Sequence, residues 1–156
     1  EKYRDVLLNF FLRAGVSYSD VEDLAQLTFI RLYNYRRKYV PSAKFTTFLF
    51  LLAHQVRIDD LRRQQRRQKL EDGLAREAES VAETPPPPPL ADGGDEVRRA
   101  VAGLSPVLRD VVELGVFQDL PYAEVAKILG IPVGTVKSRM FNALQKLKEV
   151  LNESRS

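Results

Sequence analysis

Residues able to do covalent chemistry are scarce in this sequence. It has no cysteine and one histidine, His54, which excludes disulfides, thiolate metal sites, thiol catalysis and any site built on a histidine pair. It also lacks a glycine-rich phosphate loop. What it offers instead are groups suited to holding a polyanion. Arg57, Arg62, Arg63, Arg66, Arg67 and Lys69 crowd one short stretch. A second set is Thr135, Lys137, Ser138, Arg139, Phe141, Asn142 and Lys146. It mixes hydrogen-bonding groups, cations and an aromatic ring, the types that meet base edges and phosphates. The expected chemistry is recognition by binding, without catalysis, cofactor, metal or small-molecule substrate.

The formal net charge is only +3, from 24 Lys and Arg against 21 Asp and Glu. Its distribution is more telling. The basic stretch is followed by Glu71, Asp72, Glu77, Glu79, Glu83, Asp92 and Asp95 against Arg76 alone. Such segregation sets a polyanion-binding face beside an acidic, non-binding segment. A solvated helix face is the plainer reading of the same basic run.

The elements that must position these groups are helices. No stretch keeps a period-two alternation, so the chain is expected to be all-α. The first half reads as three helices, over 3–14, 19–38 and 45–67, with Gly15 closing the first and Ser19 to Glu22 forming a capping box for the second. Val21, Leu24, Ala25, Thr28 and Leu32 form the core stripe of the second helix. Phe45, Phe48, Leu49, Leu52 and Val56 line one face of the third. His54 is expected at a helix surface. Residues 69–95 contain five successive prolines at 85–89 and Gly93-Gly94. A proline run cannot continue a helix and favours an extended form, so this is read as a flexible Pro-rich linker between two small helical domains, 1–68 and 96–156. No apolar run approaches the ~20 residues needed to cross a bilayer, and no signal-peptide pattern opens the chain.

After the linker, helices are expected over 96–102, from the Ser105-Pro106 start to 117, from Pro121 to Gly130, and over 133–151. The last two form a helix-turn-helix. Ala126 lets the helices cross closely, Gly130 turns the chain, and Ile131 and Val136 plug the angle. Val136, Met140, Ala143, Leu144, Leu147 and Leu151 are expected in the core. Thr135, Lys137, Ser138, Phe141, Asn142 and Gln145 then face outward. Lys137, Ser138 and Asn142 suit base edges, Phe141 suits a thymine methyl, and Arg139 and Lys146 suit phosphates.

With these residues in view, the sequence resembles a known family. Asp23-Leu24-Ala25-Gln26-Leu27-Thr28-Phe29-Ile30-Arg31-Leu32-Tyr33, then Phe45-Thr46-Thr47-Phe48-Leu49 and Ile58-Asp59-Asp60-Leu61-Arg62-Arg63, resemble region two of bacterial sigma factors. Leu104-Ser105-Pro106 through Arg109, Leu120-Pro121-Tyr122, and Gly134-Thr135-Val136-Lys137-Ser138-Arg139 resemble region four. The order and length resemble the extracytoplasmic-function (ECF) group of the sigma-70 family.

The resemblance implies a transcription initiation factor that binds core RNA polymerase and directs promoter recognition and melting. It implies that Glu22, Asp23, Gln26, Leu27 and Ile30 meet the clamp helices of the largest polymerase subunit. The loop 39–44, with Tyr39 and Lys44, would capture a base flipped from the minus-ten element, and Gln55, Arg57, Arg62 and Arg63 would follow that strand. Region four would read the minus-thirty-five element and hold the flap tip, and an anti-sigma factor is an expected partner. Cytoplasmic residence without membrane insertion follows. The competing reading is a stand-alone helix-turn-helix regulator acting as a dimer, which would bind a palindromic duplex without polymerase.

Overall fold

The computed structural model describes residues 2–38, 44–74 and 95–153. Among them the chain is helical, with no strand. Most of the expected linker lies outside the described residues, as does Tyr39.

Helix α1 (Lys2–Arg13) buries Leu7, Phe10 and Phe11, the three- and four-residue steps of one helical face. It ends where expected. Gly15 takes φ +92°, and the Val16 N–H closes back on the Phe11 carbonyl at 3.0 Å, the bond that satisfies a carbonyl the helix end would orphan.

Helix α2 (Tyr18–Asn34) starts at Ser17 rather than Ser19. The expected capping box does not form. Instead the Ser17 hydroxyl donates to Asp20 Oδ2 at 2.9 Å, and Asp20 complements the positive helix end. Val21, Leu24, Ala25 and Thr28 are buried as the stripe required. Thr28 tolerates that position because its hydroxyl donates to the Leu24 carbonyl at 2.8 Å, leaving no buried donor unpaired. The helix stops at Asn34, and Arg36–Lys38 form a 3₁₀ turn in place of the last turn expected up to residue 38.

Helix α3 (Phe45–Leu74) runs past the expected end at 67 and past the expected linker start at 69. Its first half buries Leu49, Phe50, Leu52, Ala53 and Val56 against α1 and α2, with Phe10 and Phe50 rings 5.4 Å apart. Phe50 was absent from the expected face, and Phe48 is only half-buried. Beyond Leu61 every residue up to Asp72 is exposed. That arm is made of Gln, Arg, Lys, Leu and Glu, which favour helix without tertiary support.

The second half contains α4 (Asp95–Ala102), α5 (Pro106–Val112), α6 (Tyr122–Leu129) and α7 (Val133–Glu153). Ser105 caps α5 with Pro106 at its first position, as the sequence required. The helix expected to reach 117 as regular α instead widens into a π turn over Glu113–Phe117, where the Gln118 N–H reaches the Glu113 carbonyl at 3.0 Å. One face of α7 is buried through Val136, Met140 and Ala143. Leu144 corrects the expected core, since it is 49% exposed. Leu147 packs at the edge of the core and Leu151 is half-buried.

The halves touch. Helix α6 packs on α3. Arg13 meets Glu113 through two hydrogen bonds, Nε to Oε2 at 2.6 Å and Nη2 to Oε1 at 2.8 Å. The Ala14 carbonyl accepts from Arg57 Nη2 at 3.1 Å and from Arg109 Nη1 at 3.3 Å.

Candidate nucleic-acid interface

The helix-turn-helix is built by a backbone device. Gly130 closes α6 at φ +68°, its N–H bonded to the Ala126 carbonyl, and the Ile131 N–H reaches the same carbonyl at 3.1 Å. That left-handed residue redirects the chain so that α7 begins at Val133. Val136 is fully buried and Ala126 nearly so, while Ile131 packs against the core edge. These three lock the crossing of α6 and α7.

The lock fixes which face of α7 meets solvent. Lys137, Ser138, Phe141, Asn142, Gln145 and Lys146 are exposed, and Phe141 is 64% accessible. The Ser138 hydroxyl donates to the Gly134 carbonyl at 3.1 Å, which leaves its oxygen as an outward acceptor. Leu144 adds apolar surface one turn after Phe141. Two expected contacts are less available. Thr135 and Arg139 are half-buried, and Arg139 acts electrostatically on Asp110.

The second surface is a polar groove of about 630 Å³ between the end of α2 and the middle of α3. Arg31, Asn34 and Tyr35 form one wall, and His54, Gln55, Ile58, Asp59 and Arg62 form the other. Arg31 Nη2 donates to Asp59 Oδ2 at 2.8 Å across it. Of these residues, Gln55 and Arg62 were expected. His54 corrects the surface expectation, because it is half-buried and burial lowers its pKa below the ordinary 6.5. A neutral imidazole there can donate at one nitrogen and accept at the other.

Beside the groove, an aromatic and cationic cluster escaped sequence reasoning. The Arg36 guanidinium sits 4.0 Å from the centre of the Tyr33 ring, and Lys38 Nζ lies 5.3 Å from that of Tyr35. Tyr33 is 65% exposed. Stacked rings with cations at their faces are the parts of a platform for unpaired bases. The signal was the run Tyr33 to Lys38, which alternates rings and cations. Of the other expected strand contacts, Lys44 and Arg63 are exposed, whereas Arg57 is half-buried and engaged with Ala14 and Asp60.

The third surface lies on α2. Glu22, Asp23, Gln26 and Ile30 are exposed, Ile30 to 56%. Leu27 corrects the expected outward position, being half-buried against the core. Glu22 is already paired with Arg4 at 2.6 Å.

Two family models match this chain, sigma-70 region 2 over residues 1–67 and sigma-70 region 4 over residues 94–147. An ECF RNA polymerase sigma factor of Cereibacter sphaeroides, RpoE, is 30% identical over 141 residues, covering 90% of this chain and 77% of that protein. The chain belongs to the ECF RNA polymerase sigma factors. SigW of Bacillus subtilis, of the same family, is 27% identical over 97% of this chain and 86% of its own length. Among solved structures, the sigma factor RpoE of Bartonella quintana, in complex with the anti-sigma factor NepR, superposes with a TM-score of 0.77 at 25% identity, covering 96% of this chain and 91% of that one. This sigma factor is therefore a transcription initiation factor, and the stand-alone dimeric regulator is not favoured. No helix among its described residues is long and apolar enough to cross a membrane.

Proposed function

We propose that this sigma factor docks on core RNA polymerase through α2 and holds one promoter at two places, with binding energy alone and no catalysis of its own. The docking face is Glu22, Asp23, Gln26 and Ile30 with the outer edge of Leu27, directed at the clamp helices of the largest subunit. Exposed apolar side chains such as Ile30 on an acidic helix face have no stabilising role in the free chain and suit a partner.

Residues 1–68 bind the minus-ten element. Tyr39 and Lys44 bracket the base-capturing loop, Gln55, Arg62 and Arg63 follow the unpaired strand, and Arg57 joins once released from its present partners. Binding an unstacked strand better than duplex shifts the equilibrium towards the melted state. Residues 96–156 bind the minus-thirty-five duplex. Lys137, Ser138, Phe141 and Asn142 take base edges, and Arg139, Lys146 and Thr135 take the sugar-phosphate backbone. The acidic linker, 69–95, passes through the polymerase as a nucleic-acid mimic. The flap tip and an anti-sigma factor complete the partners, and the site of action is the cytoplasm.

One observation carries this reading: the outward row Lys137, Ser138, Phe141 and Asn142 beyond the Gly130 turn. An aromatic left in water on a core-anchored helix has no folding role and suits an apolar contact in the major groove. Run-off transcription with purified core polymerase across a promoter library tests it. Specific transcripts requiring both core enzyme and this chain are expected. Lys137→Ala and Asn142→Ala should reduce promoter use while leaving polymerase pull-down intact.

A further inference from the structure

The contact between the halves conflicts geometrically with the proposed function. Promoter elements about 25 base pairs apart are separated by roughly 85 Å of B-form duplex. A compact chain of this length has a radius of gyration of about 15 Å, so halves held face to face cannot reach both elements. The tether joining Leu74 to Asp95 can extend by up to about 3.5 Å per residue, which permits wide separation once the contact breaks.

The contact is also specific in its chemistry. Arg13 and Glu113 make a two-pronged ion pair with side chains only 20% and 7% exposed. Phe117 lies against the Arg13 guanidinium at 4.5 Å, and Gln118 Nε2 donates to Glu113 Oε1 at 2.9 Å. The π turn sets this geometry by adding a residue to the helical turn that carries Glu113, and such wide turns are frequent at functional positions. Beside the pair, the Ala14 carbonyl at the negative end of α1 accepts from Arg57 of its own half and Arg109 of the other. Arg57 is thereby withheld from nucleic acid.

We propose that this seam is an autoinhibitory latch, in which Arg13–Glu113 and the Ala14 carbonyl shared by Arg57 and Arg109 hold the halves closed until polymerase and DNA separate them. A buried ion pair suits the task. Both charges recover hydration on opening, so the pair resists opening only modestly, whereas losing one partner leaves the other buried and unpaired and drives the halves apart. The inhibitory role rests on the proposed two-element function; the closed state itself does not.

The test uses the full chain carrying a donor and an acceptor dye at Gln68→Cys and Glu149→Cys, which a cysteine-free sequence allows. Both positions are exposed and outside the proposed binding faces. The free protein should give high energy transfer that falls on adding core polymerase and promoter. Arg13→Gln and Glu113→Gln should lower transfer without polymerase and tighten binding to core enzyme about tenfold, since a larger fraction is binding-competent. Lys127→Gln, at a surface pair outside the seam, should change neither. A free wild-type chain with low transfer overturns the latch whatever the variants do, as does unchanged transfer in both glutamine variants. High transfer retained in the promoter complex would overturn its inhibitory role. Should polymerase give no transcript with this chain at all, the function fails while high transfer in the free chain still stands.

Discussion

Arg31 Nη2 and Asp59 Oδ2 lie 2.8 Å apart, joining the last turn of α2 to α3 across the polar groove. Asp59 is nearly half exposed, so the pair adds little to stability, up to about 1 kcal/mol. Its structural effect is to hold the Arg31 guanidinium across the groove. Asp59→Ala is expected to lower the melting temperature by a few degrees at most. Tyr35→Ala, on the same wall, should cost about 1–3 kcal/mol of binding to unpaired minus-ten strand. Fluorescence anisotropy with a single-stranded oligonucleotide and the polymerase complex measures both.

Gly130 sits at φ +68° with open space where a Cβ would be. Gly130→Ala therefore pays only the backbone cost of the left-handed conformation, about 1–2 kcal/mol. Urea unfolding should show that loss. Minus-thirty-five binding should fall with it, because the angle between α6 and α7 is set there.

Phe141 is largely exposed, and Val136 on the same helix is fully buried. Phe141→Ala is expected to leave stability within about 0.5 kcal/mol. It should reduce discrimination at one base pair by about 1–1.5 kcal/mol, some five- to tenfold. Val136→Ala should do the reverse, destabilising by about 2 kcal/mol with base preference retained. Lys146→Ala should weaken all promoters alike and reduce the salt slope of binding by about 1. Competition binding across salt concentrations separates the three.

Ile30→Asp should abolish capture of core polymerase with little effect on folding, since Ile30 lies open on α2. Leu27→Asp would lose capture too, but with a fall in melting temperature, because Leu27 is half-buried against the core. Pull-down and thermal melts run on both variants distinguish docking from folding. Normal assembly of Ile30→Asp would reject the α2 docking face.

Two groups give the fold opposed pH responses. Burial pushes the Asp110 carboxyl up to about 6; Arg109, Arg57 and Arg139 oppose the shift, and Glu113 adds to it. A raised carboxyl favours the folded chain when protonated, so its contribution is full below 3.8 and is lost as pH rises through about 6. Burial lowers the pKa of His54 below 6.5. Its contribution is present above 6.5 and is lost as pH falls through the lowered folded value. Urea midpoints between pH 5 and 8 should shift in opposite directions for Asp110→Asn and His54→Gln relative to wild type.

The sequence by itself determined the local features of this protein. Helical spacing placed Val21, Leu24, Ala25 and Thr28 inside, Gly15 and Gly130 marked chain reversals that only a positive φ permits, and Ser105-Pro106 opened α5. Each is set within one or two helical turns, so neighbouring residues suffice to read it. The outward row Lys137, Ser138, Phe141 and Asn142 was legible for the same reason. The end of α3 was misread because exposed Gln, Arg and Lys carry no apolar period, yet favour helix by propensity alone. Only tertiary structure decided the rest. Leu144 stays outside because nothing packs over its side of α7, and Leu27 and His54 are half-buried because neighbouring helices cover them. Arg13 finds Glu113 one hundred residues away, a pairing that depends on two separately folded surfaces meeting, and no spacing along the chain encodes that meeting.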